Sequence, residues 1–254
     1  MQLTNELINR ATTIARNRYF EYNNGQELYD QAVRLVQQCN MLAVQNELDD
    51  NDRIKVHLAG LFLFSGGNKP TFIEEAFIIL NELLQTENIE GEIIGQFKEM
   101  LYSIKPPQTP MTLAGQVLCD ALNSFWVLEA KKLEVDLPVF VQEALTGMHT
   151  EQNLLESKQY LEKLKFFTPA AIKMFQKPKK KKLGWFQKGI EHQGTGSSPA
   201  DSAAKGIEFL KKEVEKPQMA RGTETMFRIA SREHAELMSN VHQKSGFLAS
   251  INAI

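Results

Sequence analysis

Few side chains in this sequence have the type and spacing that chemistry needs. Asp120 is a single acid in the apolar run Val117, Leu118, Ala121, Leu122, and a carboxylate in such surroundings serves as a metal ligand, as a proton carrier, or as an acceptor for buried donors. Glu74 and Glu75 are adjacent acids in FIEEAF, but general acid/base work needs an identifiable partner and none is apparent, so they are expected on a helix surface. The five histidines, His57, His149, His192, His234 and His242, form no HExxH or paired-ligand spacing. Cys39 and Cys119 lie in apolar segments without a CxxC and are expected as buried free thiols. Neither GxGxxG, a P-loop nor GxSxG occurs, and Gly194-Thr195-Gly196-Ser197-Ser198 has no preceding strand and no GK[ST] to make it a phosphate loop. The run Lys177, Lys179, Lys180, Lys181, Lys182 stands before Trp185 and Phe186, and a basic cluster beside aromatic rings suits anionic lipid headgroups, with Lys179 to Lys182 and Trp185 as the contacts. No nucleic-acid partner is expected, because no RNA-binding module flanks the run.

The elements that must position these residues are helical. LYDQAVRLVQQCNMLAV and FIEEAFIILNELLQ repeat apolar residues at i, i+3, i+4 and i+7, and strand signals are nearly absent. Asn24-Gly25, Gly66-Gly67, Pro106-Pro107, Pro110 and Pro138 punctuate the pattern, and Asp49, Asp50 and Asp52 precede IKVHLAGLFLF as helix caps. An all-α domain of about seven to nine helices is expected over residues 1–176. From Lys177 the apolar period fades and glycine, serine and charge rise, which predicts a basic, Gly/Ser-rich linker over 177–202, partly disordered, followed by a helical segment over 203–254. With 254 residues, 43% hydrophobic and 24% charged, the chain can bury a core, and 29 basic against 31 acidic residues give a net charge of -2 with no global pull toward polyanions. The N-terminus has no signal-peptide h-region, and no stretch has the roughly 20 apolar residues that span a bilayer. A cytoplasmic location is expected for the chain as given.

Two stretches carry a family likeness. QFKEMLYSIKPPQTPMTLAGQVLCDALNSF, a helix, a proline-bounded loop and a helix with Asp120, resembles the HD superfamily of metal-dependent phosphohydrolases, in which an "L-x-DAD" helix carries the last metal-binding aspartate. The same alignment sets AGLFLFSGG on "AALFHDTG", so Leu63 and Phe64 fall where the superfamily has its His-Asp pair. YNNGQE falls on the earlier "YHN..H" motif, with Asn23 and Glu27 at the histidine positions, and IEEAF on "HEExS", with Ile73 at the histidine position. Over about residues 15–176 the likeness implies an HD-like helical fold. Leucine and phenylalanine offer a cation no donor, so no metal, no catalytic residue and no cofactor is expected, with Asn23, Glu27, Leu63, Phe64, Ile73 and Asp120 as vestigial positions. A ligand pocket is expected in the vestigial cavity at Lys105 and Asp120. The alternative is an active phosphohydrolase with substituted ligands, Glu27, His57, Glu74 and Asp120.

RGTETMFRIASREHAELMSNVHQKSGFLASINAI resembles the entry segment of the Pycsar effector transmembrane family through Thr225, Met226, Phe227, Arg228, His234, Leu237, Ser239, Lys244 and Ser250 to Ile254, and departs from it at Glu233 and at Val241-His242. The likeness implies the regulatory part of a bacterial antiphage effector, with a cyclic pyrimidine nucleotide (cCMP or cUMP) as ligand and a membrane-directed segment as output. It also implies inner-membrane association where spans follow residue 254. A homo-oligomer through the C-terminal helix is expected, and a helical scaffold for protein–protein interaction is the remaining alternative.

Overall fold

Small polar side chains start four of the helices. In the computed structural model, which describes residues 3–67, 71–128, 141–143, 154–192 and 199–215, Thr4 accepts from the Leu7 amide at 3.3 Å, Asp49 from Asp52 at 2.8 Å, Thr112 from Gly115 at 3.1 Å and Thr168 from Ala171 at 3.2 Å. Each bond satisfies a donor that the first turn leaves without an intrahelical acceptor. The helices are α1 (Asn5–Tyr19), α2 (Gly25–Gln45), α3 (Asp50–Phe62), α4 (Phe72–Thr86), α5 (Gly91–Tyr102), α6 (Leu113–Ser124), α7 (Leu154–Lys163), α8 (Pro169–Glu191) and α9 (Pro199–Glu215). Among the described residues there is one further helical turn, at 141–143, and no strand. The fold is all-α, as the periodicity predicts.

The core is built on α2 packed along α3, with α6 laid against both and α1 across α3, while α8 pairs with α7 and also reaches α2 and α6. Apolar residues at helical spacing fill it: Leu28, Ala32, Leu35, Cys39 and Leu42 from α2 meet Val56, Leu58, Ala59 and Phe62 from α3. Cys39 and Cys119 are buried free thiols. Burial pushes both upward, Cys119 to about 12, so neither is a thiolate at neutral pH.

AGLFLFSGG ends α3 inside this core. Leu63 and Phe64 are 0% exposed, and the turn that carries them is held by two phenols, Tyr19 donating to the Leu61 carbonyl at 2.8 Å and Tyr22 to the Ser65 carbonyl at 3.0 Å. The following glycines are required by space. A Cβ on Gly66 would lie 2.2 Å from the Phe72 carbonyl oxygen, and one on Gly67, whose φ is +68°, would lie 2.7 Å from the Tyr22 ring.

The linker expected over 177–202 is not what residues 177–191 form. Helix α8 runs through Pro178 to Glu191, although an interior proline costs about 3 kcal/mol of helix stability. The compensation is a buried face, Ala171, Phe175, Lys179, Lys182, Trp185, Phe186 and Gly189, which keeps helical spacing throughout. Two of its members are lysines whose stems pack like aliphatic side chains, and their charge hides the period in the sequence. The boundary expected at 176 accordingly moves: residues 1–214 make one compact unit, and α9, expected in the C-terminal segment, seats Leu210 so close to Gly189 that a Cβ there would be 2.6 Å from it. His192 stacks on Phe209 with ring centroids 3.7 Å apart. The residues that carry the Pycsar likeness, the expected oligomer contact, and His149, His234 and His242 lie outside the described residues.

Candidate functional site: the Asp120 latch and the cleft beside it

Asp120 and Asn123 are three residues apart on α6 and so project from one side of it. Both grip the segment that leads into α8. Asp120 Oδ1 accepts from the Phe167 amide at 2.7 Å and Oδ2 from the Thr168 amide at 2.8 Å. These amides lie at the N-terminus of α8, where the helix dipole favours a negative charge. Asn123 Nδ2 donates to the Lys165 carbonyl at 3.0 Å and to Gln108 Oε1 at 2.7 Å, and Gln108 Nε2 returns a bond to Asn123 Oδ1 at 3.3 Å. One face of α6 thus fastens the 165–168 segment and the proline loop together. Burial pushes the Asp120 carboxyl up to about 6, against the pull of the Phe167 amide and of the Thr168 hydroxyl and amide.

The positions assigned by the HD likeness do not fit a metal. Leu63, Phe64 and Ile73 are buried hydrocarbon, Asn23 and Glu27 are exposed, and both Asp120 oxygens are engaged by backbone donors. The substituted set fares no better. Glu74 pairs with Lys105, which lowers its carboxyl, and His57 Nδ1 lies 3.4 Å from Asn40 Nδ2. Among the described residues no three His, Cys, Asp or Glu side chains converge as a metal would require.

A cavity of about 540 Å³ opens beside the latch, between Pro106, Pro107 and Gln108 on one side and α7 with residues 164–167 on the other, a volume ordinary for a small-molecule site. Its apolar walls are the two prolines, Leu164, Phe167 and the Tyr160 ring. That ring leans on Trp126 with centroids 4.4 Å apart. Lys163 and Lys165 supply positive charge, against one acid, Glu156. Lys105, expected with Asp120 in the vestigial HD cavity, does not line this cleft: it pairs with Glu74 and lies over the Tyr102 ring at 4.5 Å. Asp120 stands behind the wall, bonded to Phe167. The proline loop is visible in the sequence, but Gln108, Asn123, Tyr160, Lys163 and Lys165 are not, because nothing in their spacing announces that α7 folds back onto that loop.

The lysine run is divided by the helix period. Lys179, Lys182 and Trp185 are buried, and Lys180 and Lys181 are exposed, so the headgroup contact expected from Lys179 to Lys182 with Trp185 retains only Lys180 and Lys181 at the surface. Lys179 Nζ donates to the carbonyls of Glu162 at 3.2 Å and Leu164 at 2.5 Å, capping the C-terminal end of α7. Burial lowers its pKa, which the Glu162 carboxylate opposes. Lys182 Nζ lies 5.7 Å from the Phe186 ring centroid.

Among the described residues no helix is long and apolar enough to cross a membrane. Comparison of the chain with protein-family models, with curated proteins and with solved structures returned no match.

Proposed function

We propose that this chain is a non-catalytic sensor module that takes a small anionic ligand into the cleft beside Tyr160 and passes its occupancy through the Asp120 latch to α8 and α9, and so along the chain to residues 216–254. The observation that carries the reading is the use made of Asp120, which binds the start of α8 with both oxygens and so is committed to the helix junction. The cleft's composition supports the ligand class, since proline and tyrosine surfaces suit a planar ring and two lysines suit a phosphate or carboxylate. A nucleotide has both parts, and cCMP and cUMP are the first to test, in keeping with a regulatory role in a Pycsar-like antiphage effector.

Trp126 and Trp185 are the only tryptophans, so a Trp185→Phe background leaves Trp126, under Tyr160, as the sole indole reporter. Titration of that variant with a nucleotide panel should give a saturable emission change for one member, weakened about tenfold or more by Lys163→Gln with Lys165→Gln, from the loss of two charge-assisted contacts. Absence of binding across the panel, or phosphate release that depends on added Mn²⁺ or Mg²⁺, would refute the proposal.

A further inference from the structure

The exposed side of α8 carries a basic stripe that the cleft does not use. Lys173, Lys177, Lys180, Lys181 and Lys188 are all exposed, and at 100° per residue they fall within about 100° of the helix circumference. From Lys173 to Lys188 the stripe is about 22 Å long at 1.5 Å per residue. None of the five makes an ion pair among the described residues, and Glu191 is the only acid in the helix. Five like charges on one face repel one another and lower helix stability, and α8 bears that cost in addition to its internal proline.

We infer that this face of α8 is a docking surface for an anionic phospholipid bilayer. Charge complementarity and the make-up of the face argue for that occupant. The exposed residues of α8 include no arginine for bidentate phosphate contacts and no aromatic ring on which a base could stack. Lysines on one helix face act as point charges against a smooth negative surface, four to eight being the usual number for such contacts. The stripe is distinct from the cleft, and the two proposals fail separately.

Gly184 lies in the middle of the stripe, and a Cβ added to it would meet nothing within 4 Å, so it accepts a side chain without a clash. The test is sedimentation of the full chain with vesicles of phosphatidylcholine alone or with about 30 mol% phosphatidylserine, at about 0.15 M salt. Binding is expected only to the anionic vesicles. Lys180→Gln with Lys181→Gln should weaken it about 25-fold, Gly184→Lys should tighten it about fivefold, and Gly184→Ala should leave it unchanged, at about fivefold per surface lysine. The inference is overturned by no binding, by equal binding to neutral vesicles, by binding that the double variant and Gly184→Lys leave unaltered, which would place the contact elsewhere in the chain, or by a short DNA or RNA duplex binding more tightly than the vesicles.

Discussion

Replacing Asp120 by Asn and by Ala separates the two physical roles of this carboxylate. Its folded-state value, raised from 3.8 to about 6, lies above the unfolded one. The stability it contributes is therefore fully present below about pH 3.8 and is lost as pH rises through about 6, because the folded chain binds the proton more tightly. About two pKa units at about 1.4 kcal/mol each make the cost of ionising the buried group about 3 kcal/mol at pH 7 relative to the unfolded chain. Asp120→Asn has no such titration and keeps one acceptor oxygen. In urea unfolding from about pH 4 to about pH 7.5, the stability of the wild type minus that of Asp120→Asn should fall by about 2.4 kcal/mol across that window, part of the full effect being already lost at pH 4. Asp120→Ala also lacks the titration but leaves the Phe167 and Thr168 amides without an acceptor, and should be less stable than Asp120→Asn by about 1–3 kcal/mol at every pH. A difference between wild type and Asp120→Asn that is flat with pH, or an Ala variant as stable as the Asn variant, would refute the reasoning.

Introducing a His-Asp pair into the core, as Leu63→His with Phe64→Asp, should cost more than about 4 kcal/mol, by adding an unpaired buried charge to the lost packing, and calorimetry should detect no Mn²⁺ binding to whatever folded protein remains. Gly67→Ala should lower stability by about 1–3 kcal/mol in chemical unfolding, since the new methyl meets the Tyr22 ring at a positive φ. Gly189→Leu should displace Leu210 and raise proteolysis and amide exchange in α9 while leaving α2 and α3 protected.

The helical core is legible in the sequence because its apolar residues keep the 3.6-residue period without interruption. Asp49, placed before IKVHLAGLFLF, is the cap of α3, and Gly66-Gly67 ends that helical segment where the turn signal stands. Leu63 and Phe64 are legible as hydrocarbon in the core. Helix α8 is obscured for a definite reason. Hydropathy counts Lys179 and Lys182 as polar, yet their stems complete a face with Phe175, Trp185 and Phe186, and the spacing of those aromatics from Ala171 is the signal that a helix continues through Pro178. The cleft is half legible. SIKPPQTP reads as a loop between two helices, whereas its opposing wall comes from α7, some fifty residues later, and a contact at that separation leaves no mark in local spacing. The Lys105–Glu74 pair is likewise hidden, because the two residues are brought close only by the fold.

Amide exchange at Phe167 and Thr168, followed with and without excess Mn²⁺, tests most directly the claim that Asp120 fastens the start of α8 with both carboxylate oxygens. Both amides should be protected in the free protein and unchanged by the cation, because the carboxylate that would have to bind it is already bonded to them. Coil-like exchange of these two amides in the free protein, or loss of their protection when Mn²⁺ is added, would contradict the account.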